Sequence, residues 1–181
     1  VFAGQGSQYL DMGGDLICCF PEAFEALDKA DRRCNIIDHR LADCIYPRPD
    51  AQEARLTEER RLRQTDIAQP CIGAVSAAML RVLERFGLSA QAVCGHSYGE
   101  ITALHAAGRL DFDTFCRIST ERGRCMAEAA AEAPAGAMLA VKASTDQLLE
   151  IVDTIKSDDL VLANRNSSVQ GVLCSPEQQI A

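Results

Sequence analysis

Apolar residues recur along the first half of the chain at spacings that predict helices. Phe24, Leu27 and Ala30 follow one another at every third position, as on one face of a helix. Residues 71–83 are apolar on nearly every side and rich in small side chains, which is typical of a helix buried among neighbours. Residues 50–66 are polar and charged. We therefore expect a packed helical core with a surface excursion at 50–66.

Two short apolar runs, residues 1–3 and 90–94, predict strands, because each leads into a loop that contains glycine. A helix-like pattern covers residues 98–107, directly after the second run. The segment 71–107 thus has the order helix, strand, sharp turn, helix. That order predicts a parallel sheet of the α/β class.

A second unit is predicted after the helix for which Asp111 is the candidate N-cap. Alanine, glutamate, proline and glycine at 129–136 break the helical pattern. The pattern beyond them predicts a strand, a helix and two further strands, at 137–141, 145–155, 160–163 and 171–174. This βαββ order is unfinished, and a new helix-like pattern is under way at Ala181. Both ends of the chain are therefore interpreted as cut points in a longer protein.

The composition excludes several classes of function. The 181 residues, 48% of them hydrophobic and 24% charged, can build one large globular domain. The net charge of -8 would repel a phosphate backbone, which argues against a nucleic-acid partner. No apolar run approaches the roughly 20 residues needed to cross a bilayer, and nothing resembles a signal peptide. Nine cysteines without a CxxC pair indicate a reducing compartment. We expect a cytoplasmic protein with no membrane contact.

The segment 95–99, Gly-His-Ser-Tyr-Gly, matches the G-x-S-x-G pattern between a predicted strand and a predicted helix, where it indicates a nucleophile elbow. The glycines leave room for a tight turn that holds Ser97 in a strained conformation with its hydroxyl exposed. The amide N–H of Tyr98, at the start of the helix, would stabilise an oxyanion there. The Gly-Gln-Gly loop at 4–6 is the candidate source of a second donor, the amide of Gln5. The pattern predicts acyl transfer, although a tight turn without a catalytic role and a Gln5 that serves only its own loop remain alternatives.

A serine nucleophile needs a base within hydrogen-bond reach, and the chain contains only His39, His96 and His105. His39 lies far upstream, and His96 should project away from Ser97 because neighbouring residues at a strand end alternate in direction. His105 is two helical turns past the serine, about 12 Å along the helix axis. In hydrolase-type elbows the base follows the serine. The general base is therefore expected beyond residue 181, or the site is inactive.

Four segments, in order along the chain, resemble the motifs of malonyl-CoA:acyl carrier protein transacylases. They are Phe-Ala-Gly-Gln-Gly-Ser-Gln at 2–8, Gln-Pro at 69–70, Gly-His-Ser-Tyr-Gly-Glu at 95–100 and Glu-Arg-Gly at 121–123. Residues 134–141 and 163–167 look most like acyltransferase domains of polyunsaturated fatty acid and iterative polyketide synthases. Ala3 and Ser168 stand where many members have proline, and neither position touches the implied chemistry.

The resemblance implies a two-step exchange. A serine takes a malonyl group from coenzyme A as an ester and passes it to the phosphopantetheine thiol of an acyl carrier protein, in fatty acid or polyketide synthesis. It implies no metal and no permanently bound cofactor, and it allows further synthase domains as partners. Whether the acyl group is malonyl or methylmalonyl stays open. A serine esterase and a catalytically incomplete structural piece of a synthase are the alternatives.

The resemblance also assigns roles to residues. Ser97 is implied as the nucleophile, the backbone amides of Gln5 and Tyr98 as the oxyanion donors, and Arg122 as the guanidinium that holds the free carboxylate of the malonyl group. Gln5 and His96 are further implied contacts of the substrate. From the pattern alone, Arg122 would more readily be a solvated surface arginine. Arg124 is the fallback.

The implied architecture is a hydrolase-like α/β subdomain with a parallel sheet, into which a ferredoxin-like α+β subdomain is inserted. Residues 1–132 correspond to the first and residues 136–181 to the start of the second, which is incomplete here. The active site is expected in the cleft between them. Because the implied base lies beyond residue 181, the chain alone is expected to be inactive.

Overall fold

The computed structural model describes residues 1–34, 36, 39–48, 52–132 and 136–176. The chain divides into two compact units, Val1–Glu128 and Ala129–Ala181. Residues 134–135, which carry part of the resemblance, and residues 177–181, where a last helix is predicted, lie outside the described residues. The subdomain limits of 1–132 and 136–181 stay a prediction.

The described part of the first unit is helical apart from its loops. Its helices are α1 (Gly14–Cys19), α2 (Pro21–Arg33), α3 (Leu41–Ile45), α4 (Gln52–Leu62), α5 (Thr65–Arg85), α6 (Gly99–Ala106) and α7 (Phe112–Glu132). Helix α2 buries Leu27 and Ala30, as its spacing predicts, whereas Phe24 is 58% exposed. The segment expected as a surface excursion at 50–66 contains helix α4. Its described side chains are exposed or half-buried except Leu62, and its polar composition gave no apolar spacing from which to predict a helix.

Helix α5 is the central element of this unit. It contains Pro70 and buries residues 67–75, 77, 78 and 82, which confirms the predicted buried helix over most of its length. Met79 and Leu83, near its end, are exposed. It begins at Thr65, earlier than the apolar pattern indicates. The expectation that no segment is long and apolar enough to cross a bilayer is wrong for α5 by length and composition alone, but 67% of the apolar window is buried inside the protein. This burial is that of a core helix.

The parallel pairing in the described residues joins Phe2 and Gly95. The Phe2 amide donates to the Cys94 carbonyl at 2.8 Å, and the His96 amide donates to the Phe2 carbonyl at 3.2 Å. The predicted strand at 90–94 is wrong as a regular strand, since pairing begins only at its end. The parallel direction is nevertheless the predicted one, and it aligns the two loops that follow.

The second unit has the predicted βαββ order. Its elements are β1 (Gly136–Val141), α8 (Thr145–Ile155), β2 (Val161–Ser167) and β3 (Gln170–Pro176). The strands form an antiparallel sheet in the order β1-β3-β2, with Gly136 opposite Pro176 and Val141 opposite Gly171. Leucines from α8, β3 and the turn before β2 form its small core.

Candidate active site

Ser97 lies in a strained turn between the Phe2–Gly95 pairing and α6. Its φ of 53° is in the left-handed region, which non-glycine residues rarely adopt. A β-carbon on Gly95 would collide with the Gly99 carbonyl, and one on Gly99 would collide with the Phe2 carbonyl. Both glycines of the motif are therefore required by close backbone approach, as a nucleophile elbow demands.

The loop after Ala3 packs directly against this turn. A β-carbon on Gly4 would collide with the His96 carbonyl, so the loop backbone touches the elbow. The Ser7 hydroxyl donates to the Gly4 carbonyl at 2.8 Å and braces the loop. Among the residues that the structure describes, no protein acceptor pairs with the amide N–H of Gln5 or of Tyr98. The Tyr98 amide follows Ser97 directly, and the Gln5 amide follows Gly4 at its contact with the elbow, so both amides are candidate oxyanion donors.

The Tyr98 side chain anchors the elbow in the core. It is fully buried, and its hydroxyl lies 2.6 Å from Ser119 Oγ. Ser119 in turn donates to the Phe115 carbonyl at 2.8 Å, so Tyr98 is the donor to Ser119. A β-carbon on Gly73 would collide with the Tyr98 hydroxyl. The residue after Ser97 is therefore held between α5 and α7, which fixes the position of its amide.

Replacing Tyr98 with phenylalanine is expected to lower the free energy of unfolding by about 1 kcal/mol, the usual value of one hydrogen bond. Burial raises the pKa of Tyr98. Its stabilising effect is then complete below the ordinary tyrosine pKa of about 10 and is lost as the pH rises above it. In urea denaturation at neutral and at alkaline pH, the free energy of unfolding should fall less for the variant than for the parent as the pH is raised. Burial also raises the pKa of Tyr46, so part of the alkaline loss remains in both proteins. An equal fall in the free energy of unfolding for the variant and the parent at alkaline pH would contradict the expectation.

A chain of side-chain hydrogen bonds joins the Gln5 loop to α7. The side-chain nitrogen Nε2 of Gln5 donates to Thr65 Oγ1 at 3.0 Å, and the side-chain nitrogen Nε2 of Gln69 donates to Gln5 Oε1 at 3.2 Å. Arg122 Nη1 donates to Gln69 Oε1 at 2.7 Å. The structure thus brings together Gln5 and Arg122, which are 117 positions apart in sequence. In the sequence, Gln69 stood out only as part of the Gln-Pro motif, and nothing there indicated that it joins Gln5 to Arg122 through hydrogen bonds.

The approach of α7 to α5 depends on the glycine after Arg122. A β-carbon on Gly123 would lie 2.9 Å from the Thr65 carbonyl oxygen and 3.0 Å from Asp66 Cα, which is too close without a backbone shift. Glycine at this position lets the two helices meet where Thr65 and Gln69 lie on α5. The pair Arg122-Gly123 therefore combines a charged side chain with the backbone contact that positions it.

Arg122 and Arg124 differ sharply in their surroundings. Arg122 is half-buried and bonds Gln69, and no carboxylate among the described residues pairs with it. Arg124 is exposed and forms ion pairs with Glu121 and Glu128 on its own helix. Its charge is already matched. Arg122 is therefore the better candidate for an external carboxylate.

The histidines have different environments. His105 Nδ1 lies 2.9 Å from the Leu110 carbonyl oxygen, and its ring stacks on Phe115 at 4.8 Å between centroids. His39 is exposed in the segment before α3. His96 is exposed and its ring lies beside Gly4. Within the described ranges, no cluster of histidine, cysteine, aspartate or glutamate could hold a metal ion.

Comparisons with known proteins agree on one family. A family model described as acyl transferase domain matches residues 1–181. The chain is 33% identical over 162 residues to the highly reducing polyketide synthase easB of Emericella nidulans, across 87% of this chain and 6% of that protein. The chain therefore spans a small part of that relative.

Two solved structures are similar along nearly the whole chain. One is MCAT from Streptococcus pneumoniae, with 33% identity, a TM-score of 0.79 and coverage of 99% of this chain and 55% of that one. The other is PlMCAT:AntF, a type II polyketide synthase acyl-carrier protein in complex with its malonyl-transacylase. It has 29% identity, a TM-score of 0.81 and coverage of 99% and 55%. The chain spans about half the length of these structures.

Proposed function

Because the chain belongs to the acyl transferase domain family, we propose that it moves a malonyl or related dicarboxylic acyl group from coenzyme A to the phosphopantetheine thiol of an acyl carrier protein. The acyl group is carried between them as an ester of Ser97. The observation that carries this proposal is the strained elbow at Ser97, which lies against a loop with an unused backbone donor. Relatives described as malonyl-transacylases support the substrate class.

The first half-reaction joins Ser97 Oγ to the thioester carbonyl carbon. The charge that develops on the carbonyl oxygen would be stabilised by the amides of Gln5 and Tyr98 and by the amino end of α6. Collapse of this intermediate breaks the carbon–sulfur bond and releases coenzyme A. The carrier thiol then attacks the ester, and the same donors serve in reverse. We propose that a histidine outside residues 1–181 takes and returns the proton.

Arg122 would recognise the free carboxylate of the acyl group. Gln69 uses one guanidinium nitrogen, which leaves the remaining donors of Arg122 for a carboxylate. A planar guanidinium matches two carboxylate oxygens better than an ammonium group does. His96, which is exposed beside the Gly4 backbone, would be a further contact of the substrate.

The proposed setting is a cytoplasmic fatty acid or polyketide synthase. A solved relative is described as a complex with an acyl-carrier protein, and another relative is a polyketide synthase much longer than this chain. These descriptions support an acyl carrier protein as partner and other synthase domains as neighbours.

Replacing Arg122 with alanine tests the proposal. Loss of a two-pronged contact with a carboxylate is expected to lower kcat/KM for malonyl-CoA by about 100-fold and to leave acetyl-CoA nearly unaffected. The measurement is transfer of each labelled acyl group to the carrier protein by the full-length protein. Arg124→Ala, on the same helix, is the matched control and should change neither donor. Equal loss with both donors would contradict the carboxylate role, and release of free malonate without carrier acylation would indicate a hydrolase.

A further inference from the structure

We propose that Gln69 is a positioning residue that holds the Arg122 guanidinium and the Gln5 loop as one hydrogen-bonded unit. Recognition of the donor's carboxylate and alignment of the oxyanion amide would then depend on the same buried side chain. This inference rests on the proposed function and assigns to Gln69 a role that acts through Arg122 and Gln5.

The orientation of the Gln69 amide follows from its neighbours. A guanidinium can only donate, so the group 2.7 Å from Arg122 Nη1 must be the Gln69 oxygen. The Gln69 nitrogen must then face Gln5, at 3.2 Å from Gln5 Oε1. This leaves the Gln5 nitrogen to donate to Thr65 Oγ1. A flipped amide at Gln69 would oppose donor to donor and acceptor to acceptor.

Burial makes this arrangement rigid. Gln69 has no exposed surface, which is rare for glutamine and is tolerated only when its polar atoms are paired. Its nitrogen also lies 3.3 Å from the Met126 sulfur. Met126 follows Arg122 by one helical turn, so both side chains lie on the same face of α7. Gln69 thus has a partner for its oxygen and for its nitrogen on two separate elements.

Gln69 restrains Arg122 and the Gln5 loop, which have different proposed roles. Arg122 is long and flexible, and the bond to Gln69 removes rotamers that point its guanidinium elsewhere. Gln5 belongs to a loop without regular structure, and its side-chain bonds restrain the backbone that carries its free amide. Loss of Gln69 would therefore weaken carboxylate binding through Arg122 and slow acylation through Gln5.

Binding and transfer must be measured separately. Binding is measured by titration calorimetry of malonyl-CoA and acetyl-CoA with the full-length protein carrying Ser97→Ala, with and without Gln69→Leu. We expect Gln69→Leu to raise the Kd of malonyl-CoA by about 10- to 100-fold, which corresponds to the loss of a hydrogen bond to a charged group. The Kd of acetyl-CoA should rise by less than about twofold. In the Arg122→Ala background, Gln69→Leu should cause no further weakening of malonyl-CoA. Gln91→Leu, the same exchange at an exposed loop position, is the control.

Transfer is measured with Ser97 intact, as the initial rate of Ser97 acylation by acetyl-CoA. We expect Gln69→Leu to lower this rate about tenfold through the Gln5 loop, whereas Gln91→Leu, at an exposed position outside the site, should leave it unchanged. Gln69→Glu, of nearly equal volume, is the second variant if Gln69→Leu fails to fold. It keeps an acceptor for Arg122 but has no donor for Gln5, and it should lower malonyl-CoA binding because it neutralises the guanidinium.

Each result decides a different claim. Equal weakening of both donors, or additive losses in Gln69→Leu with Arg122→Ala, would overturn the positioning role. If the parent protein failed to acylate Ser97 but its binding preference for malonyl-CoA still depended on Gln69, the transfer function would be overturned and the positioning role would stand. If Ser97 were acylated normally but Gln69→Leu left the preference for malonyl-CoA unchanged, the positioning role would be overturned and the transfer function would stand.

Discussion

Replacing Ser97 with alanine is expected to lower acyl transfer by about 10⁴-fold or more, because the nucleophile that carries the ester is removed. Covalent labelling of the full-length protein by radiolabelled malonyl-CoA should disappear with it. The backbone should be unaffected, because alanine adds no atoms and tolerates a φ of 53° no better than serine does. Intact-protein mass spectrometry after incubation with the donor is the measurement.

Ser76→Ala is the matched control for this change. Ser76 is a partly buried serine on α5 and lies outside the elbow. It should retain full labelling. Persistence of the ester in Ser97→Ala would mean that another residue is acylated, and the proposed function would then lose its nucleophile.

Replacing Gly95 with alanine is expected to lower the free energy of unfolding by about 3 kcal/mol and to abolish transfer. The added β-carbon would collide with the carbonyl of Gly99 and the amide of Glu100. Those atoms are backbone, so relief requires a shift of the chain at the elbow itself. Urea denaturation, followed by circular dichroism, measures the stability loss, and donor labelling measures the activity.

Gly14→Ala is the matched control. A β-carbon on Gly14 would lie 3.5 Å from a Tyr46 ring carbon, an ordinary van der Waals contact, and Gly14 is the first residue of α1. Alanine there should be neutral or stabilising by up to about 1 kcal/mol, because it favours the helix. If Gly95→Ala were as well tolerated as Gly14→Ala, the close packing of the elbow would be wrong.

Much of the fold could be predicted from local pattern. The N-cap at Asp111 is confirmed by a 2.7 Å bond from the Thr114 amide to its carboxylate. The βαββ order of the second unit is confirmed. The resemblance carried by four motifs is confirmed by the match of the acyl transferase family model to the whole chain, and similar acyltransferase structures confirm the α/β fold class. These features depend on residues close together in sequence.

Errors arose where apolar spacing carries little information. Helix α4 is mostly polar, so its surface position could be predicted but its helical structure could not. The pairing segment at 90–94 has a strand-like composition, but a strand needs partners that composition does not specify. Phe24 shares the spacing of Leu27 and Ala30 and is nevertheless exposed, because the face of α2 that packs is set by its neighbours.

The sequence by itself predicted Ser97 as the nucleophile and acyl transfer as the reaction class, because the glycines around Ser97 and the turn they permit are local. The Gly-Gln-Gly loop made Gln5 a candidate donor, whereas Arg122 could be named only through the resemblance. Tertiary structure alone decided that Gln69 joins them, since that contact requires α5 and α7 to meet at Gly123 and the Gln5 loop to fold against α5. Hydrogen bonds between residues more than 50 positions apart depend on packing, and no local pattern encodes packing.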